Sequence, residues 1–103
     1  MDPYSEPMPA YVIVDTLIHD PDQYEEYKKL ARPIAERYGG EYLVRGAEID
    51  LIDQELWTPT RIVVLRFKDR QTARAFLDSD EYAPVKAMRH QHADSTLFIV
   101  EGD

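Results

Sequence analysis

Three features of the sequence predict an α+β fold, with a four-stranded antiparallel sheet and its helices on one face. Branched and aromatic runs recur four times, two stretches of helical periodicity separate them, and the resulting order is strand, helix, strand, strand, helix, strand. The third feature is the run Thr60-Arg61-Ile62-Val63-Val64-Leu65-Arg66-Phe67, which has the composition of a central strand buried on both faces. Pro59 stops the segment before it, and Lys68-Asp69 leads out of it into a helical pattern.

Taken in order, Met1 to Pro9 holds three prolines and no periodicity, which predicts a flexible N-terminal arm over 1–9 before a single domain over 10–102. Ala10 to Ile18 is rich in Val, Ile and Tyr and reads as the first strand, with Asp15 as its one charged interruption. A helix follows with clear punctuation: Asp20 as N-cap, Pro21 at the first helical position, and Gln23 spaced to reach back to the cap. Tyr24, Tyr27, Ala31, Ile34, Ala35 and Tyr38 recur at three- and four-residue steps and give it one apolar stripe, and Gly39-Gly40 ends it.

Glu41 to Ala47 predicts the second strand, with Gly46 as a bulge beyond which Ile49, Leu51 and Ile52 prolong the pairing. Asp53-Gln54-Glu55 marks a turn and Leu56-Trp57 resumes the sheet, so the second and third strands are expected to form a long hairpin. Asp69 caps the next helix, whose Ala73, Phe76 and Leu77 face inward. A break at Asp78-Ser79 precedes a last helical piece, with Asp78 and Glu81 in capping spacing, Pro84 near its start, and Val85, Met88 and His92 as its inner stripe. Ser95 to Glu101 closes the sheet. This is the split βαβ, or ferredoxin-like, arrangement. Its strands are apolar on both faces while the helices suffice for one, so the second face is expected to pack on another copy as a two-fold homodimer.

Composition narrows the function classes. A chain of 103 residues with 44% hydrophobic and 31% charged residues suits one soluble domain, and no apolar stretch approaches the ~20 residues that span a bilayer. The N-terminus shows no basic patch followed by an apolar block, so a cytoplasmic location is expected. The absence of cysteine excludes disulfides, thiol nucleophiles and thiolate metal sites. A net charge of −8 argues against nucleic acid and anionic membranes as partners. That charge lies entirely in residues 1–60, which hold 13 acids against 5 Lys or Arg, whereas residues 61–103 hold 7 of each.

The Ala10-Tyr11-Val12-Ile13-Val14-Asp15 start, Asp20-Pro21 with Tyr24 and Tyr27, Gly39-Gly40-Glu41-Tyr42-Leu43-Val44-Arg45-Gly46, the Trp57 to Phe67 run and Ser79-Asp80-Glu81-Tyr82 together resemble the domain of unknown function 1330 family over residues 10–102. The resemblance implies a ferredoxin-like protomer of the dimeric α/β-barrel group, which pairs sheet to sheet. That wider group includes cofactor-free monooxygenases, small isomerases and dismutase-like haem enzymes, but fold alone transfers none of these activities. The chain departs from the family pattern at Asp53-Gln54-Glu55-Leu56, which lacks the usual glycine, and in its longer N-terminal arm.

Four residues are candidates for a ligand-binding site: Asp15, Tyr27, Arg45 and Trp57. Asp15 and Arg45 are charges placed mid-strand, where burial demands a partner, a water or a ligand. With the first strand beside the third and the second beyond it, they sit roughly 9 to 10 Å apart, leaving room for a ligand, a water, Arg61 or Arg66 between them. Tyr24 and Tyr27 lie on the inner helix face, as core phenols or as an acid. Trp57 is either an anchor of the dimer or the rim of a pocket. His90 and His92 are two apart and diverge on a helix, so no metal or haem cofactor is expected. His19 beside Asp20 reads as an exposed loop histidine or a general base, and neither Ser79 nor Ser95 has a nucleophile's context. Two functions fit: a dimer holding a small, partly apolar organic molecule between sheet and helices, with cofactor-free oxidation or isomerisation as its chemistry, or a non-catalytic dimerisation or binding module.

Overall fold

A computed structural model describes residues 8–103, so the expected arm over 1–9 lies outside the described residues except for Met8 and Pro9. The elements are β1 (Ala10–Ile18), α1 (Pro21–Arg37), β2 (Glu41–Arg45), β3 (Ile62–Phe67), α2 (Arg70–Leu77), α3 (Ala83–His92) and β4 (Ala93–Glu101). The sheet is antiparallel in the order β2-β3-β1-β4, the ferredoxin-like topology. β1 lies between β3, where Asp15 faces Ile62, and β4, where Ile18 faces Ala93.

The helix ends follow from local chemistry. Asp20 accepts a hydrogen bond from the Gln23 backbone at 3.2 Å, while its own N–H goes to the His92 carbonyl at 3.3 Å, so the chain corner rather than the Gln23 side chain completes the cap. At the other end of α1, Gly39 takes φ +83° and Gly40 N–H bonds back to the Ala35 carbonyl at 2.9 Å, a Schellman closure that an L side chain at Gly39 would strain. Asp69 accepts from Thr72 N–H at 2.7 Å and starts α2. The start of α3 corrects the sequence reading. Ser79, not Asp78, accepts from the Tyr82 N–H at 3.1 Å, and Asp78 instead ends α2.

The core forms where the helices meet one face of the sheet. Val12, Val14, Leu65 and Phe67 from the strands pack against Ala31, Ile34 and Ala35 of α1, Ala73 and Phe76 of α2, Tyr82 just before α3 and Val85 within it. Side chains such as Val12 and Phe67, fully buried here, each contribute about 1.5–3 kcal/mol by leaving water. Phe76 joins the aromatic part, with its ring 4.6 Å from Tyr82 and 5.6 Å from Phe67.

Three further expectations fail. The long hairpin does not form: β2 stops at Arg45, and residues 46–61 leave the sheet without regular structure. Leu56 is 91% and Ile52 82% exposed, so their strand-like composition finds no neighbouring strand to pair with. The bulge also lies elsewhere, because the register shifts between Tyr42 and Val44, leaving Leu43 as the extra residue. Gly46 instead takes φ +71° and turns the chain out of the sheet, with its N–H on the Ile62 carbonyl at 2.8 Å. The inner stripe of α3 differs as well. Its buried members are Val85 and Arg89, while Met88 and His92 are only partly covered.

Candidate functional site

Between α1, α3 and the sheet lies a cavity of about 60 Å³, walled by Val12, Val14, Val63, Leu65 and Leu97 and carrying polar groups at both ends. Exposed Arg32 and Arg45 mark its mouth, whereas buried Tyr82 and Arg89 mark its floor. Five of the 12 Lys and Arg residues line it, namely Lys28, Arg32, Arg45, Arg61 and Arg89, and none of the lining residues is acidic. In a chain of net charge −8 this concentrates positive potential at a largely apolar concavity between helices and sheet. Lys28 and Arg32 are engaged by Glu25 and Glu36 on α1, but Arg45, Arg61 and Arg89 have no carboxylate partner among the described residues.

The β2 bulge is what brings Arg45 here. In a regular strand Tyr42 and Arg45, three apart, would face opposite sides of the sheet. The extra residue at Leu43 turns both to the helix side, opposite Leu65 and Val63, and the Arg45 guanidinium rests 5.1 Å from the centre of the Tyr42 ring. Arg61 arrives from the other side. Its guanidinium lies 5.5 Å from the Tyr24 ring centre and so close over Gly46 that a Cβ there would come within 2.6 Å of Arg61 Nε.

At the floor, the Tyr27 and Tyr82 hydroxyls are 2.8 Å apart. Burial and then Tyr82 hold the Tyr27 phenol well above its ordinary value, with Arg89 opposing; burial likewise raises Tyr42. Both phenols therefore stay protonated at neutral pH and act as hydrogen-bond groups, not as bases. Of the two hydrogens in the Tyr27–Tyr82 pair, one is used between the oxygens and the other remains for a third partner.

Arg89, which sequence reasoning passed over, is 5% exposed. Nη1 donates to Ser95 Oγ, Nη2 is 3.4 Å from His90 Nε2, and Nε is buried with no partner. A signal existed in the spacing of Tyr82, Val85 and Arg89, which puts the arginine on the inner face of α3.

The four candidate residues separate into two pairs. Tyr27 and Arg45 line the cavity. Asp15 and Trp57 meet on the opposite, open face of the sheet, where Trp57 Nε1–H donates to Asp15 Oδ2 at 3.0 Å. Asp15 Oδ1 also accepts from Thr60 N–H at 2.9 Å and Arg61 N–H at 3.0 Å, with the Thr60 hydroxyl 3.0 Å away. Burial pushes this carboxyl up, but the Thr60, Arg61 and Trp57 hydrogen bonds together outweigh it and hold Asp15 below its ordinary range. Asp15 and Arg45 thus lie on opposite faces of the sheet with no shared partner. His19 pairs with Asp94 at 3.0 Å on the surface, and neither residue lines the cavity.

The architecture recurs in solved structures. A protein of unknown function from Rhodopseudomonas palustris is 18% identical with a TM-score of 0.72, over 97% of this chain and 86% of that one. SnoaB, a cofactor-independent oxygenase from Streptomyces nogalater, is 10% identical with a TM-score of 0.66, over 93% and 94%. A conserved protein from Methanosarcina mazei is 18% identical with a TM-score of 0.54, over 93% and 95%. These likenesses show the fold, a ferredoxin-like four-stranded antiparallel sheet with its helices on one face. No curated protein matches the sequence. Residues 9–103 match the family described as a domain of unknown function, and with that match spanning nearly the whole chain, the protein belongs to the DUF1330 family.

Proposed function

We propose that the protein is a homodimer that holds a small, partly apolar organic molecule in the cavity between its helices and sheet. The observation that carries this reading is the cavity itself: apolar walls, a tyrosine pair with one hydrogen to spare, and three arginines without carboxylates. Such a site binds an oxygen-bearing molecule and polarises it. Its location in the cytoplasm, away from nucleic acid and membranes, follows the sequence expectation: the net charge is −8, and no described helix is long and apolar enough to cross a membrane.

Self-association is supported by the open sheet face. Val44, Phe98 and Val100 are exposed there, with Ile13, Ile62 and Val64 between them, and Trp57 extends the patch from the edge. The second copy would cover this face and leave the cavity, on the other side of the sheet, to each protomer.

The fold also houses the oxygenase SnoaB, so cofactor-free oxidation or isomerisation of the bound molecule is one outcome of such a site. A non-catalytic binding module is the second reading, favoured because neither carboxylate nor histidine is among the lining residues to take a proton. Native mass spectrometry after incubation with a metabolite mixture tests the binding claim. A retained small molecule is expected, and none retained at the gentlest activation would count against it. Turnover of that molecule by the purified protein, against its unchanged recovery, separates the two readings.

A further inference from the structure

We infer that the cavity floor is a receptor for a carboxylate: Arg89, with the spare hydrogen of the Tyr27–Tyr82 pair, takes the head group of a small organic acid whose apolar part lies against Val14 and Leu97. This rests on the reading of the cavity as a small-molecule site and names its ligand class.

The argument starts from Arg89. A guanidinium is always charged, and burying it without a counter-ion is strongly unfavourable unless its donors are met. The last turn of α3 compensates part of the charge through the negative end of the helix, and Ser95 Oγ accepts from Nη1. Nε is sealed within the protein without a partner, and Arg89, which lines the cavity, has no carboxylate beside it among the described residues. A buried charge is nearly always paired, so an unpaired guanidinium in a cavity wall points to an anionic occupant. The occupant must accept hydrogen bonds and carry negative charge. A carboxylate presents two acceptor oxygens to a guanidinium fork and can take a third bond from a phenol.

The remaining cations fit the same ligand. Arg45 and Arg61 flank the way in, each braced on a tyrosine ring, and their field draws an anion toward a pocket that the acidic remainder of the chain would repel. A volume of about 60 Å³ suits a head group and a few carbons. A neutral ligand of the same shape would leave the Arg89 charge uncompensated.

Propionate and its neutral isostere propionamide distinguish these cases. Titrating each into the full chain by calorimetry, propionate should bind at least tenfold tighter, and Arg89→Gln should abolish the difference. Should that variant not fold, the Arg89 Nε resonance of the unaltered protein, followed by nitrogen-15 NMR, should move with propionate and stay fixed with propionamide. Equal binding of the two probes, or a propionate response confined to Arg45 and Arg61, overturns the carboxylate assignment. Equal binding that is lost when Ala31→Leu fills the cavity would spare the small-molecule reading while ending this one. No binding of either probe contradicts the assignment too, and whether a metabolite is retained in native mass spectrometry then decides the broader reading by itself.

Discussion

The Trp57 indole N–H and the Asp15 carboxylate meet at 3.0 Å on the open face of the sheet, and this contact ties the irregular segment 46–61 to the first strand. The same carboxylate holds the backbone N–H groups of Thr60 and Arg61, so the turn into β3 is set from one face while the Arg61 side chain reaches the cavity on the other. A mid-strand charge expected to need a partner, a water or a ligand serves as an acceptor hub for this segment.

Asp15→Asn keeps the shape but turns donors on donors, and it should destabilise the protein by about 1–2 kcal/mol and make residues 46–61 readily cleaved in limited proteolysis. The pH dependence has a definite sign. Because the folded carboxyl titrates below its ordinary 3.8, its contribution is present above that value and is lost as the pH falls through the lower folded one. The stability gap between the unaltered protein and Asp15→Asn should therefore close as acid is added below pH 3.8. A gap that stays constant to the lowest pH at which both fold would be inconsistent with the hub.

For the tyrosine pair, Tyr27→Phe and Tyr82→Phe each strand one buried hydroxyl and should each cost about 1–3 kcal/mol in denaturant unfolding. The double variant strands neither. Its loss should fall short of the sum of the single losses by about 1 kcal/mol or more, and simple additivity would show that the 2.8 Å contact contributes nothing.

Gly46→Ala meets two obstacles, the positive φ and the Arg61 guanidinium lying over the glycine. A loss of about 1–2 kcal/mol is expected from the backbone alone. Displacement of Arg61 from the Tyr24 ring should appear as a changed Tyr24 ring spectrum in NMR. An unaltered ring spectrum would separate the glycine from the placement of the arginine.

The elements legible in the sequence are those whose signals are local. Asp20-Pro21 starts α1 and Gly39 ends it because caps depend on a few neighbouring residues, and the strand order followed from the pattern of elements. Residues 49–57 misled because Ile49, Leu51, Ile52 and Trp57 carry strand propensity, and propensity says nothing about whether a partner strand is present. Arg45 could be singled out as a mid-strand charge, yet its face could not be assigned, since the bulge at Leu43 inverts the alternation after it. Arg89 was hidden for a different reason. An arginine at the C-terminal end of a helix usually serves the helix dipole in solvent, and only the fold shows that this one points inward.

Assembly is tested through the open face. Phe98, in register with Ile13 on β1, is 38% exposed there, and Phe98→Glu would place a charge within the proposed contact. Sedimentation equilibrium of the unaltered protein at micromolar concentration should give about twice the 12.0 kDa chain mass, and the variant should give the single-chain mass. A single-chain mass for both would remove the dimer from the account.

The central claim is that the helix-side cavity, and not the open sheet face, holds a small organic molecule. Ligand-observed NMR on a mixture of small organic acids, run in parallel on the unaltered chain and on Ala31→Leu, tests it most directly. Ala31 is buried in the cavity wall, and the larger side chain should fill the space at a cost of about 1–3 kcal/mol while leaving the helix and sheet signals intact. The account predicts saturation transfer to at least one acid with the unaltered protein and none with the filled variant. Equal transfer with both proteins, or none with either, would contradict it.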